Sequence, residues 1–67
     1  MACVAVNKNG DEYIYETMPE RFLDYRWVPK YCDYLDRTYD SIMLSKGSIE
    51  KLIGKKLTWS DEPVELN

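Results

Sequence analysis

Small apolar residues occupy positions 2–6 without interruption, and a second strand-like segment, EYIYE, follows at positions 12–16. The first segment is typical of a β-strand that is covered on both faces. In the second, Tyr13 and Tyr15 lie on one face and Ile14 lies on the other. Between the two segments, Asn9-Gly10 supplies the positive φ that a tight turn requires. The pattern predicts an N-terminal β-hairpin.

Residues 46–53 have the spacing of a short amphipathic helix, because Ile49, Leu52 and Ile53 fall at positions i, i+3 and i+4. Ser45 is a favourable N-cap for this helix. Gly54 stands where a helix closes in the left-handed conformation. We therefore predict one short helix over about 46–53, with its apolar stripe facing the core.

Short alternating segments flank this helix: SIML at 41–44, LTW at 57–59 and, after the turn SDEP, VEL at 64–66. Pro63 and Glu65 mark the last segment as an edge strand, where a missing N–H and a charge discourage unwanted pairing. With the hairpin, these segments predict a mainly antiparallel sheet of four to five short strands. The expected fold is a single small α+β domain over residues 1–67.

The segment between residues 17 and 39 is ambiguous. Thr17 and Glu20 have the spacing of a capping box, so a short helix and a structured loop both fit residues 17–25. Residues 26–28 favour a short extended segment, since Val28 precedes Pro29. After Pro29, one helical turn and a long surface loop are both compatible with the pattern.

Composition narrows the possible classes of protein. The chain has 67 residues, is 45% hydrophobic and carries a net charge of −3 at pH 7. This balance argues against disorder and against a general nucleic-acid binder, whose affinity comes mainly from basic residues. No apolar segment approaches the roughly 18 residues of a membrane span. The N-terminal apolar segment lacks the basic region of a signal peptide. We expect a cytoplasmic protein.

The chain offers little for catalysis or for binding a cofactor. It has no His, and its two cysteines, Cys3 and Cys32, form no C-x-x-C motif. Two reduced, buried thiols are expected, with a single Cys3–Cys32 bridge as the alternative. No nucleophile, base and orienting group can be assembled, so we predict no enzyme, no cofactor and no metal site.

Aromatic residues are abundant, with six Tyr, two Trp and one Phe. Some of these rings are expected at the surface, because so small a core cannot bury them all. Tyr and Trp are enriched in protein interfaces, although they also bury their rings while keeping a polar tip in water. We predict a protein-binding or self-associating module whose contact residues are Tyr25, Trp27, Tyr31 and Tyr34.

The alternative is an auxiliary nucleic-acid-binding protein. Its positive charges would come from four lysines close together in the sequence, with Glu50 as the single acid among them: Lys46, Lys51, Lys55 and Lys56. The acidic residues at 61, 62 and 65 would weaken this field, and lysines commonly occupy the wet side of an amphipathic helix.

One resemblance gives a biological context. Residues 44–54 (LSKGSIEKLIG), followed by LTW at 57–59 and DEPVEL at 61–66, resemble the endings of small uncharacterised proteins of bacterial phages, prophages and mobile elements. The resemblance implies an intracellular bacterial setting and an accessory or host-interaction role. It implies no catalytic residue.

Overall fold

The computed structural model describes residues 2–29 and 41–66. In this part of the chain, the elements in order are β1 (Cys3–Val6), β2 (Glu12–Tyr15), β3 (Pro19–Phe22), β4 (Arg26–Pro29), β5 (Ser41–Leu44), α1 (Ser48–Ile53) and β6 (Val64–Glu65). Four strands form one antiparallel sheet in the order β5-β2-β1-β6. Strands β3 and β4 form a separate antiparallel hairpin. The predicted α+β class and its small, mainly antiparallel sheet are confirmed, and the second hairpin is a further two-stranded sheet.

Strand β1 lies at the centre of the main sheet. It pairs with β2 from Cys3 opposite Tyr15 to Val6 opposite Glu12, and it pairs with β6 on its other side. All of its residues are buried. The uninterrupted small apolar segment is therefore a strand covered on both faces, as the sequence predicts.

One face of the sheet is covered by the helix. Val4 and Val6 of β1 project to this side and pack with Ile49 of α1, which is 1% exposed. Partly buried residues complete this cluster: Ile14, Leu44, Ile53, Leu57, Val64 and Leu66. Leu52 does not join it and is 55% exposed, so the predicted three-residue stripe is wrong at this position. A helix of six residues has fewer than two turns, and Ile49 and Ile53 are the residues of this helix that pack in the cluster.

The second hairpin covers the opposite face. Ala5 of β1 and Tyr15 of β2 pack there against Trp27 of β4, and all three residues are buried. Tyr13 and Trp59 border this cluster. The alternation along β1 and β2 thus directs one set of side chains to the helix and the other to the second hairpin.

The helix is capped from another strand. It begins at Ser48 rather than at residue 46, and its N-cap residue is Gly47, with φ 92. The carboxylate of Glu12 in β2 accepts hydrogen bonds from the backbone N–H groups of Gly47 (2.8 Å) and Ile49 (2.9 Å). The predicted side-chain cap at Ser45 is wrong, and Ser45 contributes its carbonyl to the Ser48 N–H instead (3.1 Å).

Two further expectations are corrected. Residues 19–22 form a strand rather than a helix or loop, because pairing with β4 satisfies their backbone groups where two isolated helical turns are marginal. Residues 57–59 are not a strand. The backbone N–H of Thr58 donates to the carboxylate of Asp61 (2.8 Å), and the Asp61 N–H donates to the Thr58 carbonyl (3.0 Å), which makes a tight turn. The expectations for residues 30–39, including Cys32, lie outside the described residues.

The cap predicts a selective loss of stability in Glu12→Gln. A neutral amide offers one acceptor oxygen in place of two charged ones, so we expect the free energy of unfolding to fall by about 1–2 kcal/mol. Urea unfolding measures this change. Glu16→Gln is the matched control, because Glu16 is exposed just after the same strand. Equal losses in the two variants would contradict the capping role.

Candidate protein-binding surface

Trp27 fixes the second hairpin to the main sheet. Its side chain is 4% exposed, and its indole Nε1–H donates to the Val6 carbonyl (3.1 Å). Its backbone N–H donates to Oδ1 of Asn7 (2.8 Å), and its carbonyl accepts from the Tyr15 hydroxyl (3.2 Å). The end of β4 next to the turn is therefore held by polar contacts to both β1 and β2, in addition to its apolar packing.

Arg21 of β3 connects the second hairpin to Trp59 and Glu62, which precede β6. Its guanidinium carbon lies 4.4 Å from the ring centroids of both Trp27 and Trp59. The Nη1 atom donates to the Trp59 carbonyl (2.9 Å), and Nη2 lies 3.7 Å from the Glu62 carboxylate. Cation–π contacts of this kind are worth about 0.5–2 kcal/mol each. They link β3 to β4 and to the segment that precedes β6.

The far end of the hairpin is apolar and exposed. Residues 23–25 connect β3 to β4, where Phe22 pairs with Arg26. The exposed fractions of the side chains are 47% for Phe22, 63% for Leu23 and 51% for Tyr25. We call these three residues the hairpin tip. These three exposed apolar residues make the hairpin tip a candidate contact surface.

Leu23 has an unfavourable backbone conformation. Its φ is 56, and it is the one residue other than glycine with a positive φ in the described part of the chain. An L-residue in the left-handed region costs roughly 1–2 kcal/mol, and leucine has no polar group that would offset this locally. The tip therefore contains strain that its own exposed side chain does little to relieve.

Charged residues border the tip. Glu20 and Asp24 are exposed on the hairpin, and Arg26 is exposed beside them. Arg21 is engaged with the two tryptophans. The tip is joined to the first hairpin through the Lys8 N–H, which donates to the Tyr25 carbonyl (3.0 Å). The surface thus consists of an apolar centre on a braced hairpin, with acidic groups nearby.

Of the four residues expected from sequence to make protein contacts, the structure describes two, and these two lie in different places. Tyr25 lies in the hairpin tip and also borders a shallow pocket of about 230 Å³. Trp27 lies in the core, where it supports the tip without presenting its own ring. Tyr31 and Tyr34 lie outside the described residues.

Phe22 and Leu23 were missed by the sequence reasoning. The segment FLDY at 22–25 places three large apolar side chains in four positions. This density is too high for one buried face of a short strand, and it was the available indication of an exposed tip.

The four lysines of the nucleic-acid hypothesis are all exposed. Lys46 and Lys56 border one pocket of about 430 Å³, which Glu12 and Glu50 also line. Lys51 and Lys55 do not line it. Two carboxylates among two lysines leave this pocket nearly neutral, which gives little attraction for a phosphate backbone.

Within residues 2–29 and 41–66, no three His, Cys, Asp or Glu residues are placed to hold a metal ion. The same residues contain no helix of the length and apolarity that crossing a membrane requires. Comparison of the chain with known protein families, curated proteins and solved structures finds no match. The candidate surface therefore rests on its geometry.

The buried Tyr15 predicts a loss of stability in alkali. Burial raises the pKa of its phenol to about 12, with a smaller contribution from Tyr13. The folded state thus holds this proton more tightly than the unfolded chain, whose tyrosine titrates near pH 10. The free energy of unfolding should fall by on the order of 2 kcal/mol as the pH rises through this window.

Tyr15→Phe separates this effect from other alkaline titrations. Its stability should be about 1 kcal/mol lower at neutral pH, because the hydrogen bond to the Trp27 carbonyl is lost. Between pH 10 and 12 it should decline less than the wild type. Tyr25→Phe, at an exposed position, should decline as the wild type does. Parallel curves for the wild type and Tyr15→Phe would refute the assignment.

Proposed function

We propose that this chain is a protein-binding module and that the hairpin tip is its contact surface. The observation that carries the proposal is Leu23, whose side chain is 63% exposed and whose backbone is in the left-handed region. The fold gains little from an exposed side chain at this position. Glycine would adopt the same conformation without steric cost. Contact of the Leu23 side chain with another protein is a physical reason for leucine at this position.

The construction of the hairpin supports the same proposal. Trp27 is anchored in the core, and Arg21 is stacked on two tryptophan rings, so the strand residues next to the tip are fixed in place. A fixed surface loses less conformational entropy on binding than a flexible loop does. Phe22 and Tyr25 add aromatic area of the type that dominates protein interfaces.

The charges around the tip suggest the chemistry of the partner. Glu20, Asp24 and Arg26 are exposed around the apolar side chains, so charges of both signs border the tip. This mixture gives no strong attraction for anionic lipids or for nucleic acid. The partner we propose is therefore a folded protein with an apolar cleft.

The resemblance of residues 44–54, 57–59 and 61–66 to phage and mobile-element proteins supports a bacterial setting for this activity. We propose that the protein acts in a bacterial cytoplasm, as an accessory protein that contacts a host protein. The nucleic-acid alternative makes a separate prediction, which is binding to single- or double-stranded DNA at low salt. Binding that weakens in the combined Lys46→Ala and Lys56→Ala variant would favour that alternative over the hairpin tip.

Leu23→Gly should stabilise the folded protein. Glycine relieves the left-handed strain, and this outweighs the added freedom of the unfolded chain, so we expect a gain of up to about 1 kcal/mol in urea unfolding. Asp24→Gly is the matched control in the same loop. Its position lacks a positive φ, so it should lose stability. A loss in Leu23→Gly comparable to that in Asp24→Gly would mean that Leu23 serves the fold.

If Leu23 contacts a protein partner, Leu23→Gly should bind that partner less tightly even though its fold is more stable. A photo-crosslinking phenylalanine analogue at position 22 should label a protein in host cells that the same analogue at position 52 does not. Leu52 is the control because it is similarly exposed on the helix. With that partner purified, Leu23→Gly should raise the dissociation constant by about tenfold or more.

Leu52→Gly should leave the dissociation constant unchanged, provided that the variant is folded by circular dichroism. The proposed surface is refuted by equal labelling from positions 22 and 52. It is also refuted if the purified partner binds Leu23→Gly as tightly as the wild type.

A further inference from the structure

Strand β5 forms one edge of the main sheet in the described part of the chain. Its residues Ser41–Leu44 pair with β2 on one side, and no other described strand pairs with them. Ile42 is 66% exposed and Met43 is 55% exposed. An edge of this kind offers backbone hydrogen-bonding groups and apolar side chains together.

This edge lacks the features that protect the other edges. Strand β6 is two residues long and is marked by Pro63 and Glu65. The second hairpin carries charges on both of its strands, at Glu20, Arg21 and Arg26. Strand β5 has the sequence SIML, with no charge and no proline. Charges and prolines on edge strands discourage pairing with another chain, and β5 has neither.

The hydrogen-bond alternation shows which groups of β5 face outward. In an antiparallel pair of strands, hydrogen-bonded residue pairs alternate with pairs that are not hydrogen-bonded. The Asn7 N–H donates to the Asp11 carbonyl (2.9 Å), so this pair is hydrogen-bonded. By the alternation, Ala5 is then hydrogen-bonded to Tyr13, and Cys3 to Tyr15. The Leu66 N–H, which donates to the Ala2 carbonyl (2.7 Å), agrees with this alternation on the other side of β1.

The same alternation continues to β5 and gives the direction of its backbone N–H and C=O groups. Glu12 and Ile14 direct their backbone groups to Leu44 and Ile42. The N–H and C=O groups of Met43 therefore point away from β2, along the edge of β5 that no other described strand covers. The same holds for Ser41.

We propose that β5 pairs antiparallel with β5 of a second copy of this chain, about a two-fold axis at Met43. In this register Met43 exchanges two backbone hydrogen bonds with Met43 of the other copy, and Ile42 lies opposite Leu44. A neutral strand meets itself without like-charge repulsion, which is why a second copy suits this edge. The two main sheets then form one continuous sheet. The proposal uses a different surface from the hairpin tip and does not rest on it.

The mass of the protein in solution tests the proposal directly. Sedimentation velocity and light scattering from micromolar to near-millimolar concentration should show a reversible monomer–dimer equilibrium. In Met43→Lys, and separately in Met43→Glu, two like charges meet at the axis, and the dissociation constant should rise by about tenfold or more. An equimolar mixture of the two variants should form dimers again, because lysine then lies opposite glutamate.

Two controls separate this interface from others. Leu52→Lys places the same charge on an exposed apolar position of the helix and should leave the dimer intact. Leu23→Gly should also leave it intact, so failure of the hairpin-tip proposal and failure of this one are distinguishable. The β5 interface is overturned if the wild type stays monomeric throughout, if either charged Met43 variant associates as the wild type does, or if the mixture stays monomeric. Loss of the dimer in Leu23→Gly also overturns it. Circular dichroism of each variant establishes that it is folded.

Discussion

The structure depends on covering β1 on both faces. A chain of 67 residues buries only about 60% of the surface that its unfolded form exposes, so it has few residues with which to build a core. Every residue of β1 is nonetheless buried. The helix covers the side of Val4 and Val6, and the second hairpin covers the side of Ala5. The helix and the second hairpin are both short, and each is held in place by polar contacts as well as by apolar packing.

These polar contacts determine what remains at the surface. Glu12 holds the helix at its N-terminal end, and Asn7 and the Val6 carbonyl hold Trp27. Trp27 and Arg21 lie opposite each other next to the tip and pack towards the main sheet, so Phe22 lies on the other face of the hairpin. Phe22 and Leu23 are exposed as a consequence of this arrangement. The proposed binding surface therefore lies on the side of the second hairpin that the small core does not use.

The N-terminal hairpin, the existence of one helix and the edge character of the last strand could all be predicted. Each depends on residues close in sequence: Asn9-Gly10 at a turn, Ile49 and Ile53 on one helical face, and Pro63 at an edge. The second hairpin could not be predicted in the same way. Thr17 and Glu20 have the spacing of a helix start, yet pairing of residues 19–22 with 26–29 and the packing of Trp27 on the sheet prevail over that local preference.

The sequence by itself determined the α+β class, the central buried strand and the approximate place of the helix, because these follow from the period of apolar residues and from turn chemistry. Only the tertiary structure decided where the helix begins, since its cap comes from Glu12, 35 residues before Gly47. It also decided which aromatic residues are available to a partner. Trp27 and Tyr25 are two residues apart in sequence, but one meets the main sheet and the other meets solvent. That difference arises from contacts between distant segments, which no local pattern contains.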